Sequence, residues 1–192
     1  MSLAPEIVVV SGLPRSGTSL MMQMLDRGGI PALTDECRTA DLDNPRGYYE
    51  FERVKQTKSD STWLPAARGK AVKMVSALLY DLPALEYYRI VFMQRDLDEV
   101  LASQEKMLRR RHQPVPPTGT IKASLTIHLD RLLQWIPLQP HMRLLLVSYN
   151  NLIGQPQREI PRICEFLDGH PNPRRMLDAI DPSLYRNRCG GK

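Results

Sequence analysis

The sequence predicts an α/β fold: a mainly parallel sheet with helices on both faces, in three layers. Strand-like and helix-like patterns alternate along the whole chain, which is the signature of that class. The first strand pattern is a continuous apolar run, Ile7-Val8-Val9-Val10, of the kind buried on both faces of a parallel sheet. No internal repeat and no composition shift divides the 192 residues, so residues 1–192 read as a single domain.

Taken in order, residues 6–11 read as the buried strand, closed by Gly12. Residues 17–27 follow as a helix that Gly28 and Gly29 terminate. Residues 70–76 form a short strand and residues 87–94 a stronger one. Residues 96–110 carry Leu97, Val100, Leu101 and Leu108 on or near one helical face. Residues 121–135 are another helix, and Leu144-Leu145-Leu146-Val147 marks a strand over 143–148. A last helix runs to about Leu167, with Gly169 as its cap. Pro161 is expected in its first turn, because a proline deeper inside removes a hydrogen bond and clashes. Residues 111–120 hold three prolines and a glycine and read as a loop. Residues 34–60 are polar and read either as a substrate-facing insertion or as a surface excursion.

Apolar residues make up 42% and charged residues 24%, an ordinary balance for a globular chain. The net charge of +5 favours an acidic ligand without choosing among nucleotide, nucleic acid and membrane surface. Cys37, Cys164 and Cys189 form no closely spaced pair, which disfavours a disulfide framework or zinc site and fits a reducing cytoplasm. No apolar run approaches the roughly 20 residues that span a bilayer. The N-terminal apolar run is short for a signal-peptide core and lacks a basic leader. Arg109-Arg110-Arg111-His112 complements a helix C-terminus, and no nucleic-acid motif accompanies it.

The sharpest signal is Gly12-Leu13-Pro14-Arg15-Ser16-Gly17-Thr18-Ser19, set between the first strand and the first helix. Such a P-loop-type turn aims backbone N–H groups and a helix N-terminus at an anion. Arg15 adds a forked cation, and Thr18 and Ser19 add hydroxyl donors. The spacing is that of a Walker A loop, but Thr18 stands where that loop has lysine. This counts against ATP or GTP chemistry. No convincing magnesium-binding aspartate follows on a later strand.

A second anion grip is suggested farther on. Arg95 ends a strand, Asp96 is an N-cap, and Glu99 completes a capping box. Ser103 lies two helical turns after Asp96 and returns to the same face. Ligands of open α/β sheets bind at that strand edge.

These residues carry a family resemblance. Pro14 to Ser19 resembles the 5′-phosphosulfate loop of sulfotransferases, in the form of the bacterial and carbohydrate branches. Arg95-Asp96 with Ser103 resembles the family's 3′-phosphate motif. Ser148-Tyr149-Asn150-Asn151-Leu152 through Leu167 resembles its later strand-and-helix block. The resemblance implies 3′-phosphoadenosine 5′-phosphosulfate as co-substrate, with no metal, and transfer to a hydroxyl or amine of a small-molecule or carbohydrate acceptor. It implies 5′-phosphosulfate contacts from Arg15, Ser16, Gly17, Thr18 and Ser19, 3′-phosphate contacts from Arg95 and Ser103, and an adenine contact from Tyr149. Asn150 departs from the acidic residue common in that block. A late basic segment, Arg186 or Arg188, is the counterpart of the family's closing loop.

The catalytic residues match less well. Lys73 corresponds to the family's lysine, but Val75 stands where cytosolic members carry a histidine. Asn44 to Glu52 resembles the segment that supplies a glutamate in other branches. Glu50 is thereby the candidate base, Glu52 its runner-up, and Lys73 and Arg15 the candidate cations at the transferred group. Two alternatives stay open: a non-catalytic nucleotide-binding module, and a P-loop small-molecule kinase. No nucleic-acid or membrane partner is expected, and a second subunit is one way to complete a large acceptor pocket.

Overall fold

The computed structural model describes residues 6–35, 47–115 and 117–181. Its sheet has four strands, β1 (Ile7–Gly12), β2 (Ala71–Val75), β3 (Tyr88–Gln94) and β4 (Met142–Ser148). They lie in the order β2-β1-β3-β4, and every pair is parallel. The helices are α1 (Thr18–Gly28), α2 (Leu64–Ala67), α3 (Leu97–Arg110), α4 (Thr118–Trp135), α5 (Tyr149–Gly154), α6 (Pro156–Phe166) and α7 (Pro173–Leu177).

Side chains alternate between the faces of a strand, so each strand feeds two cores. Val8, Val10, Ala71, Val91 and Met93 pack with Met21 and Leu25 of α1 and Ile163 of α6. Ile7, Val9, Val72, Ile90 and Phe92 pack with Trp63, Leu132 and Ile136 on the α2 and α4 side. This is the expected three-layer α/β fold. The chain runs from β1 to β2 on one side, then crosses to β3 on the other. That reversal, between the C-terminal ends of β1 and β3, is where open α/β sheets bind their ligands.

The opposite edge of the sheet is sealed. Arg89 near the start of β3 is buried and pairs with both Glu6 and Asp168. Its Nη1 also donates to the Phe166 carbonyl at 2.6 Å. One guanidinium thus ties β3 to the segment before β1 and to the end of α6.

Three expectations need correction. Pro161 lies inside α6, and Pro156 holds the first-turn position. The interior proline is tolerated because it and Gln157, whose carbonyl loses its usual partner, both face solvent. The expected loop over 111–120 is shorter, since α4 begins at Thr118, directly after Pro117. First-turn N–H groups have no helical partner anyway, so Gly119 and two threonines are accommodated there. The helix ending near Leu167 is α6 and is not the last: the separate α5 stops before it at Gln155, and α7 follows Asn172.

Candidate functional site

The chemistry-bearing residues gather on the C-terminal edge of the sheet because each strand hands the chain to them there. Register aligns Gly12 with Val75 on one side and Met93 on the other, and aligns Gln94 with Ser148. The next residues out are the loop after β1, Ser76 after β2, Arg95 after β3 and Tyr149 after β4.

The loop after β1 is held in a conformation that side chains resist. A Cβ on Gly12 would lie 2.5 Å from Ser16 Oγ and 2.6 Å from the Met93 carbonyl. Gly17 caps α1 with φ +100°, and a Cβ there would strike the Tyr149 ring at 2.3 Å. Arg15 also has positive φ, at 71°. These turns carry the chain over the end of β1 and start α1 with Gly17, which has no side chain to take the first-turn N–H groups. Thr18 and Ser19 are the first two residues of that helix and are half-buried. Ser16 is buried, and its Oγ has no hydrogen-bond partner among the described residues.

The two expected anion grips meet. Arg15 Nε donates to Ser103 Oγ at 3.0 Å, although 88 residues separate them. Ser103 is buried on α3, whose N-terminus Asp96 caps by accepting from the Asp98 and Glu99 N–H groups. Arg95 Nη1 donates to the Arg15 carbonyl at 3.2 Å. Its guanidinium also stacks over the Tyr149 ring, 4.6 Å from the centroid. Burial, together with Glu99, raises the Tyr149 pKa, opposed by Arg95 and Arg15. The phenol is therefore neutral at physiological pH.

Glu99 is the residue the capping pattern undersold. Its carboxylate pairs with Arg95 Nε at 2.9 Å, and both side chains are nearly sealed, at 1% and 8% exposure. Asn150 Nδ2 donates to the other Glu99 oxygen at 3.1 Å. That explains the departure at position 150: an acid there would face the Glu99 carboxylate, whereas an amide supplies a donor. Only the i,i+4 spacing of Arg95 and Glu99 hinted at this pairing.

The second group of candidates sits on the α1 face of β2. Lys73 Nζ lies 3.7 Å from Glu50 Oε1, donates to the Tyr48 carbonyl, and stands 5.8 Å above the Tyr48 ring. The Glu50 backbone is fixed by Thr34, whose Oγ1 donates to its carbonyl at 2.9 Å. Glu50 and Lys73 are thus brought together, while Glu52 turns away to an exposed ion pair with Lys55. Residues 44–46 and the late basic residues Arg186 and Arg188 lie outside the described residues.

The sulfotransferase domain family model matches residues 5–187. Mouse sulfotransferase 1A1 is 24% identical over 195 residues, which cover 92% of this chain and 64% of that protein. The chain therefore spans somewhat less than two thirds of that curated relative. Among solved structures, the sulfotransferase domain from the curacin biosynthetic pathway superposes with a TM-score of 0.56 at 16% identity, covering 94% of this chain and 79% of the other. The sulfotransferase domain of the Synechococcus PCC 7002 olefin synthase gives 0.54 at 17% identity, over 96% and 84% of the two chains. These likenesses carry the fold, and the match over residues 5–187 carries the membership: the chain belongs to the sulfotransferase family.

Proposed function

We propose that this chain is a sulfotransferase of a single domain, residues 1–192, acting in the cytoplasm. It would move the sulfuryl group of 3′-phosphoadenosine 5′-phosphosulfate to a hydroxyl or amine of a small-molecule acceptor. One observation carries the reading: the Arg15–Ser103 hydrogen bond joins the two anion grips at the reversal of strand order. Both grips are required by a ligand that is charged at two positions.

The residues present fit such a ligand. Glycines stand where any Cβ would collide, and a buried Ser16 hydroxyl lacks a partner among the described residues. Arg15, Ser16, Gly17, Thr18 and Ser19 would hold the 5′ group, Arg95 and Ser103 the 3′-phosphate. Tyr149 would serve the adenine side, and Arg186 would close over the 3′-phosphate. When bound, the nucleotide supplies an activated sulfuryl group. Lys73 and Arg15 would stabilise the charge that builds as that group transfers. Glu50 would take the acceptor's proton, with the Lys73 ammonium beside its carboxylate.

A thermal-shift titration tests this, comparing 3′,5′-adenosine bisphosphate, 5′-AMP, and ATP with magnesium. A ligand at 100 times its Kd adds about 2.7 kcal/mol. For a chain of this size that raises Tm by roughly 5–10 °C. The bisphosphate should shift Tm well beyond AMP. A shift confined to ATP with magnesium, or none, would remove the reading. Val75 at the position of the family's histidine favours one second reading, a nucleotide-binding module without transfer. That module would bind the bisphosphate and never release sulfate from the donor.

A further inference from the structure

The end of β2 carries a group that the sulfuryl-transfer reading has not used. His128, in the middle of α4, reaches the residue that follows this strand, with its Nε2 2.9 Å from Ser76 Oγ. Val75, the last residue of β2, pairs in register with Gly12, where the anion loop begins. The Ser76–His128 pair therefore stands one residue beyond the level of the loop, on the adjacent strand.

Its position is well fixed. Ser76 is buried, and the Tyr80 ring meets the imidazole edge-on at 6.4 Å. Tyr80 is itself packed against Trp135 at 4.7 Å. The imidazole is half-buried, and its Nδ1 has no hydrogen bond among the described residues. If Nε2 carries the hydrogen and Ser76 Oγ accepts it, the lone pair lies on Nδ1. Burial lowers the His128 pKa, which keeps the ring neutral near neutral pH. Among the described residues, its contacts are the Ser76 hydroxyl and the edge-on Tyr80 ring. Along α4 itself, the charged residue one turn away is Arg131.

Lys73 alternates to the α1 face of the sheet, with Glu50 beside it, whereas α4 packs on the other face. We infer that His128, held by Ser76, is a second acid/base group of the transfer site, serving in place of Glu50 for an acceptor hydroxyl that approaches over the α4 face and taking its proton at Nδ1. This rests on the sulfotransferase reading. In the step, the acceptor oxygen bonds to sulfur as its proton passes to Nδ1. The bond from sulfur to the 5′-phosphate oxygen breaks, and its electron pair leaves with the adenosine bisphosphate. The imidazolium that results stays bonded to Ser76. The group comes from α4, not from β2, where the resemblance expects a histidine and the chain has Val75.

The test needs no acceptor. The histidines, His112, His128, His141 and His170, are isotope-labelled and their ring signals followed by NMR through a pH titration. The titration is run with and without 3′,5′-adenosine bisphosphate. The signal lost in His128→Gln, or the one displaced in Ser76→Ala should that variant misfold, identifies His128. With an acceptor oxygen and a sulfur between them, Nδ1 and the 5′-phosphate would lie about 6–7 Å apart. A phosphate at that range favours the imidazolium and should raise the His128 midpoint by about one pH unit. The midpoints of His112, His141 and His170 should stay put. If the bisphosphate binds, as seen by its thermal shift, and the His128 midpoint does not move, the ring is remote from the donor and the inference is overturned. If the bisphosphate does not bind at all, the donor site itself is wrong, and the inference falls with it.

Discussion

Two arginines six residues apart, one near the start of β3 and one just past its end, do opposite jobs. Arg89 and Arg95 are both buried and both ion-paired. Arg89 draws its carboxylates from segments far away in the chain, Glu6 and Asp168, and closes the N-terminal edge of the sheet. Arg95 has its carboxylate one helical turn on, at Glu99, and also meets the Arg15 carbonyl and the Tyr149 ring. The first arginine staples the fold. The second builds a wall for a loop, and its carboxylate partner is local. The partners also differ in burial: Asp168 is 51% exposed, whereas Glu99 is 1% exposed.

That difference predicts unequal costs. Arg95→Ala should have the largest effect, lowering stability by about 3–5 kcal/mol, because it strands the Glu99 carboxylate without its cation. Urea denaturation measures this, and adding Glu99→Gln should recover part of the loss. If the double variant is no better than the single, the buried charge is not what costs. Gly17→Ala comes next, at about 2–4 kcal/mol, from a Cβ driven into Tyr149 at positive φ. It should also abolish the bisphosphate-induced rise in Tm. Arg89→Ala should cost less than Arg95→Ala, about 1–3 kcal/mol, since its orphaned carboxylates reach water. It should leave bisphosphate affinity unchanged, and a large loss of affinity would erase the contrast between the two arginines.

The smallest effect concerns pH. The hydrogen bond from Arg89 holds the Asp168 pKa below its ordinary value. A depressed acid pKa adds stability above the unfolded value, near 4 for aspartate, and loses it as pH falls toward the folded value. Asp168→Asn should therefore flatten the fall in stability below about pH 4. Asp168 is half-exposed, so the change should be about 0.5 kcal/mol or less. A steeper acid slope in the variant would contradict the pairing.

The strands were legible because their apolar runs are continuous, and the loop because its glycines and arginine sit between a strand and a helix. Asp96 was legible as a cap, and its spacing to Ser103 anticipated a shared face. Legibility ended where a residue's meaning depends on a distant neighbour. Glu99 read as a capping residue, and its burial depends on Asn150, 51 positions away. The role of His128 is not written in its surroundings, since nothing in α4 points to Ser76, 52 positions earlier. Arg89 carries no signal of its own in the sequence, because Glu6 and Asp168 flank it only after folding. Pro161 broke a rule whose cost depends on exposure, which sequence does not print.

The contact between Arg15 and Ser103 has one more implication. A serine oxygen that accepts from a guanidinium still has its own hydrogen to give. An arriving phosphate would therefore meet a donor already aimed by the cation behind it. Fixing one long side chain at the moment of binding costs about 0.5–1.5 kcal/mol of rotamer freedom. Here that ordering is done during folding, so capture of the nucleotide should depend more on encounter than on rearrangement.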